Sequence, residues 1–158
     1  MDNNAVLAEK LKKRSDLSKE RYSLAISKGR REAIKKELSE LSMQIEHDII
    51  FNEHSFIRYF RLPEDVEILE NPDPSLFYED AAYDLCRSKD GVFLAVFLTE
   101  DDAKKREEVI KKNGAEPGTE YRVCSNMSQI AALASKLGYA GVAINPFTDG
   151  MFVRFRRR

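Results

Sequence analysis

The sequence is poor in the residues from which catalytic and metal sites are usually built. It has two histidines and two cysteines, and its seven glycines are scattered. Neither glycine-rich phosphate-binding pattern, GxGxxG or GxxxxGK, occurs in it. A nucleophile–base pair would need a histidine beside a serine or cysteine, but both histidines lie in the N-terminal helical part and both cysteines in the later, strand-forming part. We therefore expect no catalytic residue, no cofactor, no metal and no enzymatic activity.

The histidines and cysteines have ordinary structural interpretations. His47 and His54 lie seven residues apart in a predicted helix, whereas helical metal ligands are usually spaced three or four apart. We interpret both as solvent-exposed polar side chains. Cys86 and Cys124 lie in apolar, strand-like settings, which predicts two buried free thiols.

Long apolar runs are also missing. No stretch approaches the roughly 18 apolar residues that a transmembrane helix needs. No apolar signal-peptide segment follows the polar residues 2–4. The sequence therefore predicts no membrane partner and a cytoplasmic location with reduced cysteines.

The formal net charge is −1, but the charges are segregated along the chain. Residues 1–62 hold 13 basic and 10 acidic residues, a net +3. Residues 63–150 hold 9 basic and 17 acidic residues, a net −8, and residues 151–158 add four arginines. The acidic middle part argues against nucleic acid lying across it, while the two basic ends leave nucleic acid open as an alternative partner.

Residues 1–62 are predicted to form an α-helical hairpin. The first helix is expected over 3–28, capped by Asn3 or Asn4 and ended by Gly29. The second begins near Arg30 and carries an apolar stripe that extends toward Phe56 and includes Ile34, Leu38, Leu41, Ile45 and Ile49. Since such a stripe must be buried, the hairpin is expected to pack on the C-terminal domain or on a partner chain, and a homodimer through the hairpin is one interpretation.

The sequence after residue 62 predicts an acidic, proline-containing linker over 63–75 and an α+β domain over 76–158. An Asp-Gly turn at residues 90–91 precedes an apolar central strand over 92–98. Thr99 can cap a helix that runs to about Lys112, and a second short helix follows near residue 127. The predicted fold class is α+β: an N-terminal helical hairpin followed by a mixed sheet of about five strands with two packed helices.

Two phrases within this domain resemble the N-terminal domain of the SseB family. They are Val96-Phe97-Leu98-Thr99-Glu100, with Leu98 inserted between the usual Phe and Thr, and Gly141-Val142-Ala143-Ile144-Asn145-Pro146. The resemblance covers residues 76–155, about half of the chain, and leaves the hairpin outside. It implies an α+β fold and no known catalytic residue, cofactor or substrate.

The turn and tail that follow the second phrase supply the candidate partner-binding residues. The turn aromatic Phe147 faces either the edge of the core or a partner, and the C-terminal arginines suit an acidic surface. The candidates are Asn145, Phe147, Asp149, Arg154, Arg156 and Arg157. We expect a non-enzymatic protein–protein interaction module, an adaptor or an inhibitor, whose partner is another protein. Nucleic-acid or nucleoprotein binding through the basic hairpin and the arginine tail is the alternative.

Overall fold

The structure, a computed structural model, describes residues 3–51, 54–63, 81–114, 118–146 and 150–154. In chain order the elements are α1 (Asn3–Arg21), α2 (Lys28–Phe51), β1 (Phe56–Pro63), β2 (Ala82–Tyr83), β3 (Leu85–Ser88), β4 (Gly91–Phe97), α3 (Glu100–Lys112), β5 (Gly118–Ser125), α4 (Met127–Lys136), β6 (Gly141–Ile144) and β7 (Met151–Arg154). The predicted α+β class, a helical hairpin followed by a mixed sheet with two helices, is confirmed. The described residues form seven strands rather than about five.

The strands form one mixed sheet. β1 pairs antiparallel with β5 along its whole length, β4 pairs parallel with β6, and β7 pairs antiparallel with β6. β1 also pairs antiparallel with the end of β4, through Ile57–Phe97 and Arg58–Val96. Beyond this contact, β2 pairs with β1 and β3 pairs with β4. At the break between them, the Asp84 N–H donates to the Tyr59 carbonyl at 3.5 Å and the Asp84 carbonyl accepts from Ala95 at 2.9 Å. One residue thus connects both neighbouring strands.

The two faces of the sheet are covered by different helices. Because successive side chains of a strand point to opposite faces, Leu94 and Val96 of β4 lie in one core and Ala95 and Phe97 in another. The larger core contains buried side chains of α1, α2 and α4. The smaller core includes Ala103 of α3.

The hairpin packs on the domain along its base. At the start of α1, the Asn4 side-chain amide donates to the carbonyls of Ser55 at 2.7 Å and Leu98 at 3.3 Å. Farther along α1, the Arg14 guanidinium donates to Ser42 Oγ at 3.1 Å and to the Gly150 carbonyl at 3.4 Å. The hairpin and the sheet therefore share one hydrophobic core.

The turn of the hairpin lies earlier in the chain than predicted. α1 ends at Arg21 rather than near residue 28, and Gly29 lies in the first turn of α2. The Ser27 hydroxyl accepts from the Arg30 N–H at 3.1 Å, so Ser27 fills a capping position at the start of α2. A six-residue turn, 22–27, joins the two helices.

α2 ends at Phe51, and residues 56–62, which the sequence placed in the hairpin, form strand β1 instead. Phe56 does lie at a helical spacing from Ile49, but the residues after it pair one for one with β5. This pairing joins residues about 60 positions apart, which a local periodicity cannot indicate. Beyond Pro63, the predicted linker lies outside the described residues.

Gly141 gives a test of the β6–β7 register. A β-carbon at this position would contact the Val153 carbonyl oxygen well inside van der Waals distance and would lie 2.9 Å from the Arg154 Cα. We expect Gly141→Ala to lower the free energy of unfolding by about 1–3 kcal/mol, the usual cost of overpacking, measured by urea denaturation.

Gly29 is the matched control, because it sits in a helix and a β-carbon added there would have no atom within 4 Å. Gly29→Ala should leave stability unchanged or raise it by up to about 1 kcal/mol. Equal stability of Gly141→Ala and the parent would mean that β7 does not approach β6 as described.

Candidate interaction surfaces

Asn145 connects the two phrases on which the family resemblance depends. Because β4 and β6 are parallel, their carboxyl ends lie side by side. Asn145 has a left-handed backbone with φ of 46°, its Oδ1 accepts from the Leu98 N–H at 3.2 Å, and its Nδ2 donates to Asp102 Oδ2 at 3.3 Å. Thr99 caps α3 as predicted, accepting from the Asp102 N–H and donating to the Asp102 carboxylate. These two hydrogen bonds join residues 47 and 43 positions apart, which a local sequence pattern cannot indicate.

Two of the candidate partner-binding residues, Asn145 and Arg154, lie within the described part of the chain, and they are far apart. Asn145 is buried and its side chain bonds within the fold. Arg154 is exposed at the opposite end of the β6–β7 pair, in register with Gly141. The other candidates, Phe147, Asp149, Arg156 and Arg157, lie outside the described residues.

His54 is not the exposed helical side chain that we expected. It lies after α2, its imidazole is 1% exposed, and its Nδ1 is 3.0 Å from Asn4 Oδ1. Its Nε2 is 3.4 Å from Asp48 Oδ2. The histidine therefore contacts both helices at the base of the hairpin, on the segment that leads into β1. His47 is exposed, as expected.

The predicted burial was wrong for Cys124 and is confirmed only in part for Cys86. Cys124 is exposed, since it lies on β5, which pairs on one side with β1 and with no other described strand. Cys86 is partly buried. Burial and the neighbouring Asp84 carboxylate raise the pKa of the Cys86 thiol, which lowers the thiolate fraction that a nucleophile requires.

Ion pairs join charged side chains of α3 to the sheet that the helix covers. The Arg106 guanidinium donates twice to the Asp84 carboxylate, at 2.9 and 3.0 Å. Glu107 pairs with Arg122 at 3.0 Å. Within the sheet, Arg61 pairs with Glu120 at 2.7 Å. The arrangement holds the helix on the sheet, and each of these carboxylates faces a cation.

The far end of the hairpin exposes large apolar side chains. We define the hairpin apex as residues 19–36: the end of α1, the turn and the first two turns of α2. Its turn carries Leu24, which is 99% exposed, and Tyr22, which is 74% exposed, whereas Ile34 behind them is buried. Sequence reasoning missed this surface, because the turn was assigned to the interior of a helix.

The apex turn is held by hydrogen bonds on both sides. Arg30 of α2 donates to both carboxylate oxygens of Glu20 in α1, at 2.9 and 3.2 Å. These hydrogen bonds lower the pKa of Glu20 and raise the pKa of Arg30. The Arg31 guanidinium donates to the Ser23 carbonyl at 3.5 Å, and the Ser23 hydroxyl accepts from the Ala25 N–H at 3.3 Å. Leu24 is therefore presented on a structured turn.

The apex is strongly basic. Residues 19–36 contain seven basic residues and two acidic ones, a net +5. Within the part of the chain that the structure describes, Arg30 is the one basic residue of the apex paired with a carboxylate. The Arg21 guanidinium lies 5.6 Å from the centre of the Tyr22 ring, a cation–π distance. The apex thus combines positive charge with two exposed apolar side chains.

Metal-binding and membrane-spanning features are both missing from the described residues. No group of three or more histidine, cysteine or acidic side chains there is arranged to hold a metal ion. Among the same residues, no helix has the length and apolar character needed to span a bilayer.

Comparison with family models, with curated proteins and with solved structures finds no match for this chain. The likeness to the SseB family therefore stays a hypothesis that depends on the two phrases joined by Asn145.

Substitutions of Asn145 test whether the residue serves the fold. Asn145→Gly keeps the left-handed backbone and removes the acceptor of the buried Leu98 N–H, so we expect a loss of about 1–3 kcal/mol in the free energy of unfolding. Asn145→Ala should cost about 1 kcal/mol more, because alanine disfavours that backbone conformation. Chemical denaturation measures both. Full stability of Asn145→Gly would contradict the structural role and return the side chain to the candidates for partner contact.

Proposed function

We propose that the protein is a non-enzymatic protein–protein interaction module that contacts its partner through the hairpin apex. The observation that carries the proposal is the exposure of Leu24 and Tyr22 together on one short, hydrogen-bonded turn. Large apolar side chains that stand together on a surface are typical of protein contact sites. Tyrosine and arginine, adjacent here at residues 21–22, are also enriched among the residues that dominate interface energies.

The fixed base of the hairpin supports the same proposal. Asn4, Arg14 and His54 hold the base against the sheet, so the apex is carried at a set position relative to the rest of the fold. A preordered binding surface loses less conformational entropy when it binds. Arg154, exposed at the end of β7, stays a candidate second contact.

Nucleic-acid or nucleoprotein binding is the alternative function, and the net +5 charge of the apex favours it. Phosphate contacts would leave Leu24 unused, because an aliphatic side chain contacts nucleic acid chiefly as a wedge between base steps. The two functions differ in salt dependence: contacts with phosphates weaken steeply as salt rises.

A comparative pull-down tests the proposed function. Tagged parent, the Tyr22→Ser, Leu24→Ser double variant and Met43→Ser are each incubated with lysate of the source cells at low and high salt, and bound species are identified by mass spectrometry. Met43 is a matched control, since it is 68% exposed and apolar but lies on α2 outside the apex. We expect one protein partner that the parent and Met43→Ser retain and the double variant loses.

Two results would contradict the proposal. A partner retained equally by all three proteins would place the contact elsewhere on the molecule. Recovery of nucleic acid alone, lost at high salt, would favour the alternative function.

A further inference from the structure

We infer that the partner surface recognised by the hairpin apex is acidic and has an apolar face that buries Leu24. This inference rests on the proposed function and adds the chemistry of the partner. It combines the exposure of Leu24, the order of its turn and the charge around it.

Leu24 is exposed on an ordered turn, where a partner surface can bury it. It is 99% exposed, and the residues on either side of it are held by the Arg31 contact to the Ser23 carbonyl and by the Ser23 hydroxyl contact to the Ala25 N–H. A partner that fully encloses this one leucine side chain would gain at least about tenfold in affinity.

The basic side chains around Leu24 indicate which groups of the partner surface lie next to it. Lys19 and Lys28 are exposed at the two helix ends that flank the turn, and Arg21 lies beside Tyr22. The net charge of +5 over residues 19–36 favours carboxylates opposite them, since complementary potentials raise association rates and exclude wrong partners. Residues 63–150 of this chain carry a net charge of −8, and the basic apex stands in contrast to that acidic stretch.

A membrane surface fits these observations less well. Stable interfacial binding uses a helix with a long apolar face, and even a single myristoyl chain gives only marginal attachment. The apex offers two exposed large apolar side chains, Tyr22 and Leu24, and no such face. Phosphate contacts would use the basic residues, and Leu24 would then have to wedge between base steps. A protein surface uses both features.

Four purified probes test the inference by fluorescence anisotropy. They are an amphipathic helical peptide with glutamates on its polar face and leucines on its apolar face, the same peptide with lysines in place of glutamates, vesicles with anionic phosphatidylserine, and a DNA duplex. We expect the full-length protein to bind the acidic peptide at least about tenfold more tightly than the basic one. Binding to the acidic peptide should weaken as salt rises.

Variants assign that binding to the apex. Leu24→Ser should weaken binding to the acidic peptide about tenfold. The double variant Lys19→Glu, Lys28→Glu should weaken it about tenfold and reduce its salt dependence. Both lysines are exposed, and the turn is held by other side chains, so folding should be unaffected.

Matched controls carry the same chemistry at other places. Lys104→Glu with Lys105→Glu reverses two exposed charges on α3, and Met43→Ser removes an exposed apolar side chain of α2. Neither should change binding. Equal affinity for the two peptides, or equal losses in the controls, would overturn the inference, as would apex-dependent binding of the vesicles or the duplex alone.

The outcome separates this inference from the proposed function. Suppose the pull-down yields a protein partner that needs Tyr22 and Leu24 but is indifferent to salt and to Lys19→Glu, Lys28→Glu. The interaction function then stands, and the acidic chemistry of the partner is wrong.

Discussion

The fold depends on how the two backbone groups of Leu98 are bonded. Its N–H donates to the side chain of Asn145 at the end of β6, and its carbonyl accepts from the side chain of Asn4 at the start of α1. Its own side chain is buried in the larger core. One residue therefore links the parallel strand pair, the hairpin and the start of α3. A buried backbone group needs such partners, because leaving it unbonded costs about as much as a lost hydrogen bond. Leu98 is also the residue by which this chain departs from the usual Phe-Thr pattern of the SseB family.

This junction divides the molecule into two ends of different chemistry. Near it, charged residues pair with each other, as Arg106 does with Asp84 between α3 and the sheet. Far from it, at the hairpin apex, basic residues surround Leu24 and Tyr22 with few carboxylates nearby. The first arrangement consolidates the fold, whereas the second leaves two large apolar side chains and most of the basic residues of the apex exposed. We propose the apex as the contact surface for this reason.

Local signals in the sequence predicted the elements that depend on neighbouring residues. The Thr99 cap and the apolar strand β4 are confirmed. The predicted hairpin turn also forms, but at residues 89–90, with Gly91 as the first residue of β4 rather than part of the turn. The missed features depend on distant residues. β1 forms because it pairs with β5, about 60 residues later, and the side chain of Asn145 bonds to Leu98 and Asp102, which lie 47 and 43 positions away in the chain. The apex could have been found locally: Ser27, a favoured capping residue, marks the start of α2 better than Gly29 marks the end of α1.

The proposed function depends above all on the apex being held at a fixed position relative to the sheet. Pulsed electron spin resonance between nitroxide labels on Leu24→Cys and on the exposed native Cys124, with Cys86→Ser as background, measures this directly. We predict one narrow distance distribution that widens when Asn4→Ala removes the side-chain bonds at the base of the hairpin. A broad distribution in the parent, or one that Asn4→Ala leaves unchanged, would contradict it.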